Sequence, residues 1–547
     1  MRSSRYGTGL PTISSRVTVL LVEPSLGYNA SQPETDLQLG QTPETVNFLM
    51  RDGALEPRSR LSTVPANPNP LGNAVTGGYE VVSAVGSVYP LVSGTTRLAY
   101  YSQGSWSALS YVSAGGISTP PSGATTDYFD ITQSYHAESD EMLAILANQS
   151  YQTLFCWSAG TTIFSTITNA PRARYVTTSD NFVLALNSRD SGSAQSKYVQ
   201  RLSWSDRGGP LTWVPAVSNL AGFEDLLGAK GEGTRLVDMD NRVIIFFEGE
   251  IWQSVRNVHP NTWQSTPIDR TIGTSYSWTI TKTPLGIIFL GADFMLYLLP
   301  KDGGTAQVIG KPVQKTLRDT MDVPTLAHAV YDEGLNSYRL YYAVRGGTGV
   351  PTRELVYNLT EGSISLHDYG MFSLTRAFPA YLQSATAGIT WQALVTAGFT
   401  WGTLPYTWGQ MYSSSTRVNK TMFVGSSSGT VYHLSSTWSK DESTSVEARW
   451  RTGALGSETP DLTKFVNVVR VDCAATQQSN ATIRVSRDQG ITFDPGQAVT
   501  IPATSQETQA TAFVSTPARY PMVELTTEDP GGRYYRLWVQ MRMGGDR

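Results

Sequence analysis

Apolar positions along this chain come in short unbroken runs, each followed by a tight polar or glycine-containing turn and a second run that carries an aromatic residue. TRLAYYSQGSWSA at 96–108 and MLAILANQSYQTLFCW at 142–157 have this form, as do NRVIIFFEGEIWQS at 241–254 and LGIIFLGADFMLYLL at 285–299. The series continues with NSYRLYYAV from Asn336 and MFVGSSSGTVYHL from Met422. Runs this short, rich in β-branched and aromatic residues and bounded by turn formers, read as strands of hairpins rather than as helices. Neighbouring hairpins start on the order of 40 to 60 residues apart, the period of propeller blades and not of helical repeats or short-rung solenoids. A β-propeller is therefore expected for the body of the chain.

The texture changes near Ser445. VEARWRTG, FVNVVRVDC, ATIRVSRD, PMVELTT and YYRLWVQMRM alternate apolar and polar residues, the period-two mark of half-buried antiparallel strands. Their spacing fits a β-sandwich of roughly 100 residues. Before the propeller, segments such as YNASQPETDLQLGQTPETVNF and VPANPNPLGN are poorly periodic and read as an extended arm, lying on the body or on a neighbouring subunit, with one strand at Val17–Val22. The predicted organisation is all-β: an N-terminal arm with first strands at 1–77, a β-propeller at 78–440 and a C-terminal β-sandwich at 441–547. Helical patterns are scarce; 313–322 (VQKTLRDTMD) and 223–227 are the best candidates.

At 547 residues the chain exceeds what one core usually holds, in keeping with more than one domain. Its 49 glycines and 29 prolines supply the turns that so many strands need. Charged residues make up only 16% and the net charge is -4, which argues against a dedicated nucleic-acid grip, since that needs a cationic footprint. Cys156 and Cys473 are too few and too far apart for a disulfide framework or a zinc site, so free thiols are expected. The apolar run at Val17–Val22 is too short for a signal core, and no stretch approaches the roughly 20 apolar residues of a membrane span. A soluble chain made in a reducing cytosol is the expectation.

Several local motifs suggest chemistry and dissolve on inspection. Gly425-Ser426-Ser427-Ser428-Gly429 matches the G-x-S-x-G of hydrolase elbows, but that device requires a strand-to-helix turn, and here another strand, TVYHLSS, follows. Ser486-Arg487-Asp488-Gln489-Gly490-Ile491-Thr492-Phe493 resembles the Asp-box of sialidases and other propellers, whose aspartate caps backbone amides in a hairpin turn; it is structural even in enzymes. His136, Glu138, Asp140 and Glu141 form an acidic run, and Asp238, Asp240 and Asn241 resemble half a calcium loop, yet neither has the ligand count that an oxygen-coordinated metal requires. The five histidines, His136, His259, His328, His367 and His433, show no paired spacing. No catalytic residue, cofactor or metal is assigned. More distinctive is 390–412, TWQALVTAGFTWGTLPYTWGQMY, in which Thr-Trp recurs three times. Trp391, Trp401, Tyr406 and Trp408 are candidate interface residues, because large aromatic side chains bury much area at small entropic cost. Packing of the indoles onto a blade, or stacking of sugars, would use the same residues.

Several segments together resemble the tail nozzle proteins of short-tailed bacteriophages, also called tail hub or packaged-DNA stabilisation proteins. NFLMRDGALEPRSRL at 47–61 is similar to the family's opening, and RLSWSDRGGPLTWVP at 201–215 to its Trp-Ser, Gly-x-Pro, Trp pattern. HAVYDEGLNSYRLYYAV with ELVYNLTEGSISLHDYG resembles paired blade strands, and SRDQGITFDPGQ with RYYRLWVQMRMG the C-terminal sandwich. The likeness runs from about Asn47 to Met543 and consists of diffuse hairpin patterns. It implies a structural virion protein and no enzyme: a hexameric ring below the tail adaptor, assembled in the host cytoplasm, touching fibres or a needle, through whose lumen double-stranded DNA passes and is retained until ejection. A mildly acidic chain suits such a conduit, because every phosphate-binding lysine or arginine would add a barrier to sliding. The runner-up is a receptor-binding or glycan-processing propeller of a phage tail, with the tryptophan stretch as sugar platform.

Overall fold

The computed structural model describes residues 17–63, 67–102, 104–112, 121–189, 197–257, 262–381, 400, 420–436 and 438–544. The chain divides into two units, one of Met1–Arg58, Glu361–His367 and Ser445–Arg547, the other of Ser59–Thr360 and Asp368–Thr444. The stretch 1–77 thus contributes to both.

In the larger unit the hairpins are the middles of small antiparallel sheets. Blade 1 spans 75–108, blade 2 129–166, blade 3 172–225, blade 4 233–269 and blade 5 281–308; blade 6 is built on His328–Asp332, Ser337–Val344 and Arg353–Asn358, and blade 7 on 376–435. The first strands of the blades are Val75–Val82, Phe129–His136, Arg172–Ser179, Gly233–Met239, Thr281–Thr283, His328–Asp332 and Arg376–Ala380. Each lies beside the next, and the seventh lies beside the first, so the sheets close a ring around an axis. Side chains mark the seams: the Thr132 hydroxyl donates to that of Thr178 at 3.0 Å, the Tyr338 hydroxyl to the Thr279 carbonyl at 2.8 Å, and the Ala377 amide to His328 Nε2 at 3.1 Å.

This arrangement explains the unbroken apolar runs. A second strand such as Phe182–Arg189, Arg242–Phe247 or Gly286–Leu290 is sandwiched between two neighbouring sheets, so both faces are buried and the period-two alternation disappears. The core is accordingly a series of apolar layers between adjacent blades. One layer joins Val81, Leu91, Phe129, Leu146 and Trp157, another Leu184, Leu202, Leu236 and Ile245, a third Ile244, Phe246, Ile287 and Phe289. Each such side chain contributes about 1.5–3 kcal/mol by leaving water. Trp157, fully buried, also satisfies its indole N–H on the Thr161 carbonyl at 3.0 Å.

The ring is closed by a segment from the beginning of the unit. Arg60–Thr63 pairs antiparallel with Val431–Ser435 as the outer strand of blade 7, and the Leu61 amide donates to Asp441 at 2.8 Å. Two helix expectations part company. Residues 314–320 are about two α-helical turns, entered through a 3₁₀ turn at Lys311–Val313 and anchored by buried Leu317. The helix expected at 223–227 is instead the edge strand Gly222–Asp225, held in register by a two-pronged Arg201–Asp225 ion pair across the strands, at 2.7 and 2.9 Å.

The smaller unit is an antiparallel sandwich. One sheet runs Thr504–Ala518, Lys464–Ala475, Gly532–Met543, Ala54–Pro57, Phe48–Arg51, with Val17–Val22 also paired to Gly532–Met543; the other runs Thr45–Val46, Ala448–Arg451, Met522–Thr527, Ser479–Ser486, Gln497–Ile501. Their alternate residues, among them Val469, Val471, Leu537 and Val539 from one sheet and Trp450, Ile483, Val485 and Leu525 from the other, form one core. Early strands fill places in both sheets. The Asp-box caps a hairpin turn: Asp488 accepts from the Thr492 amide at 2.7 Å and the Gly490 amide donates to Ser486 Oγ at 2.8 Å, with Gly490 at φ +83°. The fold is all-β, a seven-bladed propeller accompanied by a sandwich, and both cysteines are free thiols.

Candidate functional site

Because the first strand of every blade faces the axis, polar residues in those strands converge. A cavity of about 720 Å³ opens there, lined by residues of all seven first strands or their flanks. Its deep wall is Trp278, which stands on a 3₁₀ turn at Ser277–Thr279 before blade 5 and meets Tyr128 edge-on at 5.5 Å between ring centroids. Two guanidinium groups lie over that indole, Arg235 from blade 4 at 4.6 Å and Arg376 from blade 7 at 4.3 Å. Stacking on an aromatic face favours arginine over lysine in such a position.

Asp130, from blade 2 and almost fully buried, is the carboxylate of this wall. It pairs with Arg235 at 3.1 Å and accepts the Val176 amide at 3.0 Å. Burial pushes its carboxyl above the usual range, although Arg235 and the amide donors pull it back. Burial, reinforced by Arg235, pushes Arg376 down to about 10. Burial likewise raises the Tyr128 phenol to about 12.

A second group of charges lines the cavity elsewhere. Lys420 lies 3.5 Å from Glu80 and 3.3 Å from Glu333, and Asp238 lies 3.7 Å from Lys282. The arrangement offers an aromatic floor, a fork of two guanidinium groups and several carboxylates in one recess, which is what binding a small polar or anionic molecule requires.

Trp391, Trp401, Tyr406 and Trp408 lie outside the described residues, as does His259. The acidic run at 136–141 is the turn between two strands of blade 2, where Tyr135 donates to Asp140 at 2.7 Å and Ser139 bonds His136 at 2.6 Å. Asp240 is tied to Lys301 at 2.8 Å. Among the described residues, no group of three potential metal ligands comes together. The Gly425–Gly429 motif is a hairpin turn, with the Thr430 amide donating to Ser426 Oγ at 2.9 Å. Asp130, Arg235, Trp278 and Arg376 have no motif to announce them; the one signal for the three charged residues is a charge inside a blade's first strand.

No protein-family model matches the chain, and no curated protein matches it. Solved structures do. An exo-β-1,3-galactanase from Phanerochaete chrysosporium aligns with 88% of this chain and 100% of its own, at 10% identity and a TM-score of 0.28. The WD40 domain of Neurospora crassa Pan2 aligns with 69% of this chain and 95% of its own, at 6% identity and a TM-score of 0.36. A glycoside hydrolase family 43 arabinoxylan arabinofuranohydrolase from Bacillus subtilis aligns with 96% and 99%, at 11% identity and a TM-score of 0.22. At such identities the likeness concerns fold alone. It nevertheless corrects one expectation: glycoside hydrolases stand among the similar structures, so the statement that this chain is no enzyme is withdrawn.

Proposed function

We propose that the chain is the nozzle subunit of a short phage tail, a virion part that assembles as a hexameric ring on the tail adaptor and surrounds the DNA path. The observation that carries this reading is the sequence likeness, which runs through both the propeller and the sandwich rather than through one of them. The axial cavity, about 720 Å³ and filled at its floor by Trp278, is far too small for a duplex, so DNA would pass between copies and not through a propeller. The surface has material for such contacts. Leu211, Val214, Val217, Leu220, Phe223 and Leu227, on the outer part of blade 3 and just after it, are all exposed. Solvent exposure of this many apolar side chains in one stretch is what a neighbouring subunit relieves.

A second reading, a receptor-binding or glycan-processing propeller, is favoured by the axial recess itself, where carboxylates and an aromatic floor meet. The two are separated by imaging the purified full chain in negative stain, alone and with the adaptor, beside a binding and hydrolysis assay on host surface polysaccharide. Rings of six-fold symmetry support the nozzle. A chain that stays monomeric beside adaptor rings, and binds or cleaves the polysaccharide, overturns it. If Trp401 and Trp408 anchor the assembly, replacing both with alanine should impair ring or fibre attachment with little change in melting temperature; a large thermal loss with normal assembly would make them core residues.

A further inference from the structure

We propose that the axial cavity binds a small oxyanion, a carboxylate or phosphate group, in the fork between Arg376 and Arg235 above Trp278. The reasoning begins with pairing. Of the charged residues that line the cavity, Asp130 is committed to Arg235, Asp238 faces Lys282, and Glu80 and Glu333 share Lys420. Arg376 has no carboxylate within ion-pairing distance among the described residues, and its Nε and Nη1 are buried without a hydrogen-bond partner. Arg235 also leaves Nε and Nη1 buried and unpartnered, using Nη2 for Asp130.

Two cations over one indole, with one carboxylate between them, leave a surplus positive charge in a water-poor place. Such a charge is costly to bury alone. The mutual repulsion is visible in the depressed pKa of Arg376, for which Arg235 is the second cause after burial. The unpartnered Nε and Nη1 of one guanidinium point to different sides and are not its parallel pair, so the oxyanion is expected to take a charge-assisted donor from each of the two arginines. The surplus is local. Lys420, Glu80 and Glu333 form a separate group, and the ionisation of Arg376 responds to Arg235, Tyr128 and Asp130 instead. The cavity thus has one pole with surplus positive charge and another, where two carboxylates share one lysine, that is net negative. This inference stands apart from the nozzle reading, since a ring could form with the recess full or empty.

The test is isothermal titration of the full chain, in a chloride-free buffer, with inorganic phosphate in one arm and acetate in the other, repeated on Arg376→Met. Saturable binding of either anion, weakened at least tenfold by Arg376→Met, is the expected result, and the arm that binds names the source. The variant should fold at least as stably as the parent, because it removes an unpaired cation, whereas Arg235→Met should be destabilised by stranding Asp130. Should Arg376→Met fail to fold, Arg376→Lys, which keeps the charge and loses the fork, is expected to weaken binding as well. The absence of saturable binding in both arms, or equal affinity in parent and folded variant, overturns the proposal.

Discussion

Replacing Arg339 by methionine removes the centre of a buried charge cluster in blade 6. Its guanidinium is bonded to Glu354 through Nε and, at 3.1 Å, through Nη2, and to Asp332 through Nη1 at 2.7 Å. The side chains of Arg339 and Glu354 are 4% and 0% exposed, so water does not replace the lost partner. Asp332 is less affected, because it still accepts the amides of Gly334 and Leu335. Leaving the buried Glu354 carboxylate without its cation should destabilise the propeller by about 3–5 kcal/mol. For a unit of this size the unfolding entropy is ~0.8 kcal/mol per degree, so the melting temperature should fall by roughly 4–6 °C. Adding Glu354→Gln to Arg339→Met removes the uncompensated charge while keeping an acceptor for the Tyr369 hydroxyl, which reaches Glu354 at 2.8 Å. The double variant should therefore regain more than half of the loss. Urea unfolding and thermal scans of the parent, single and double variants read this directly. A single-variant loss under about 1 kcal/mol, or a double variant no better than the single, would refute the claim that the pair is held by mutual compensation in a dry site.

His328 stacks on Tyr341 with ring centroids 5.0 Å apart, and burial, followed by Arg376, holds its pKa well below the ordinary value. The folded state needs the neutral ring, because Nε2 accepts the Ala377 amide. Stability present above the unfolded pKa of about 6.5 should be lost as pH falls through that value, at up to ~1.4 kcal/mol per pH unit. Scans at decreasing pH should show a shallower loss for His328→Gln, and parallel curves would count against the assignment. At the seam of blades 1 and 7, a Cβ added to Gly78 would clash with the Phe378 ring. Gly78→Ala should therefore destabilise by about 1–3 kcal/mol through overpacking, with partial rescue by Phe378→Leu in the same chain; an unshifted melting temperature would show that the seam gives way without strain.

How far the sequence reveals this architecture depends on whether a feature is local. The central hairpins of blades 1, 2, 4, 5, 6 and 7 stand out because both strands are apolar and the turns are short. The hairpin of blade 3, Phe182–Arg189 with Lys197–Trp204, does not stand out: its two strands are separated by a longer polar stretch, and the second is only half-buried over much of its length. The closing strand Arg60–Thr63 is only four residues long, and its partner lies at the far end of the unit, so no window of neighbouring residues could expose it. Of the early strands that complete the sandwich, Val17–Val22 is legible as an apolar run, whereas Thr45–Val46, Phe48–Arg51 and Ala54–Pro57 are short and join their sheets through distant partners. Strands after Ser445 such as Lys464–Ala475, Ser479–Ser486 and Gly532–Met543 alternate because one face is less buried, while Met522–Thr527 is buried throughout. The site follows the same logic one level higher. Asp130, Arg235, Trp278 and Arg376 come from or beside four different blades, so no spacing could join them. Once blade order is known, however, each blade's first strand must face the axis, and the charges inside FDITQSYH, GTRLVDM and RAFPA must meet there. A buried charge in an innermost strand is then either a folding liability or a ligand contact. Asp130 has its own cation, Arg376 has no such partner among the described residues, and that difference is what marks the recess as a binding site rather than a packed core.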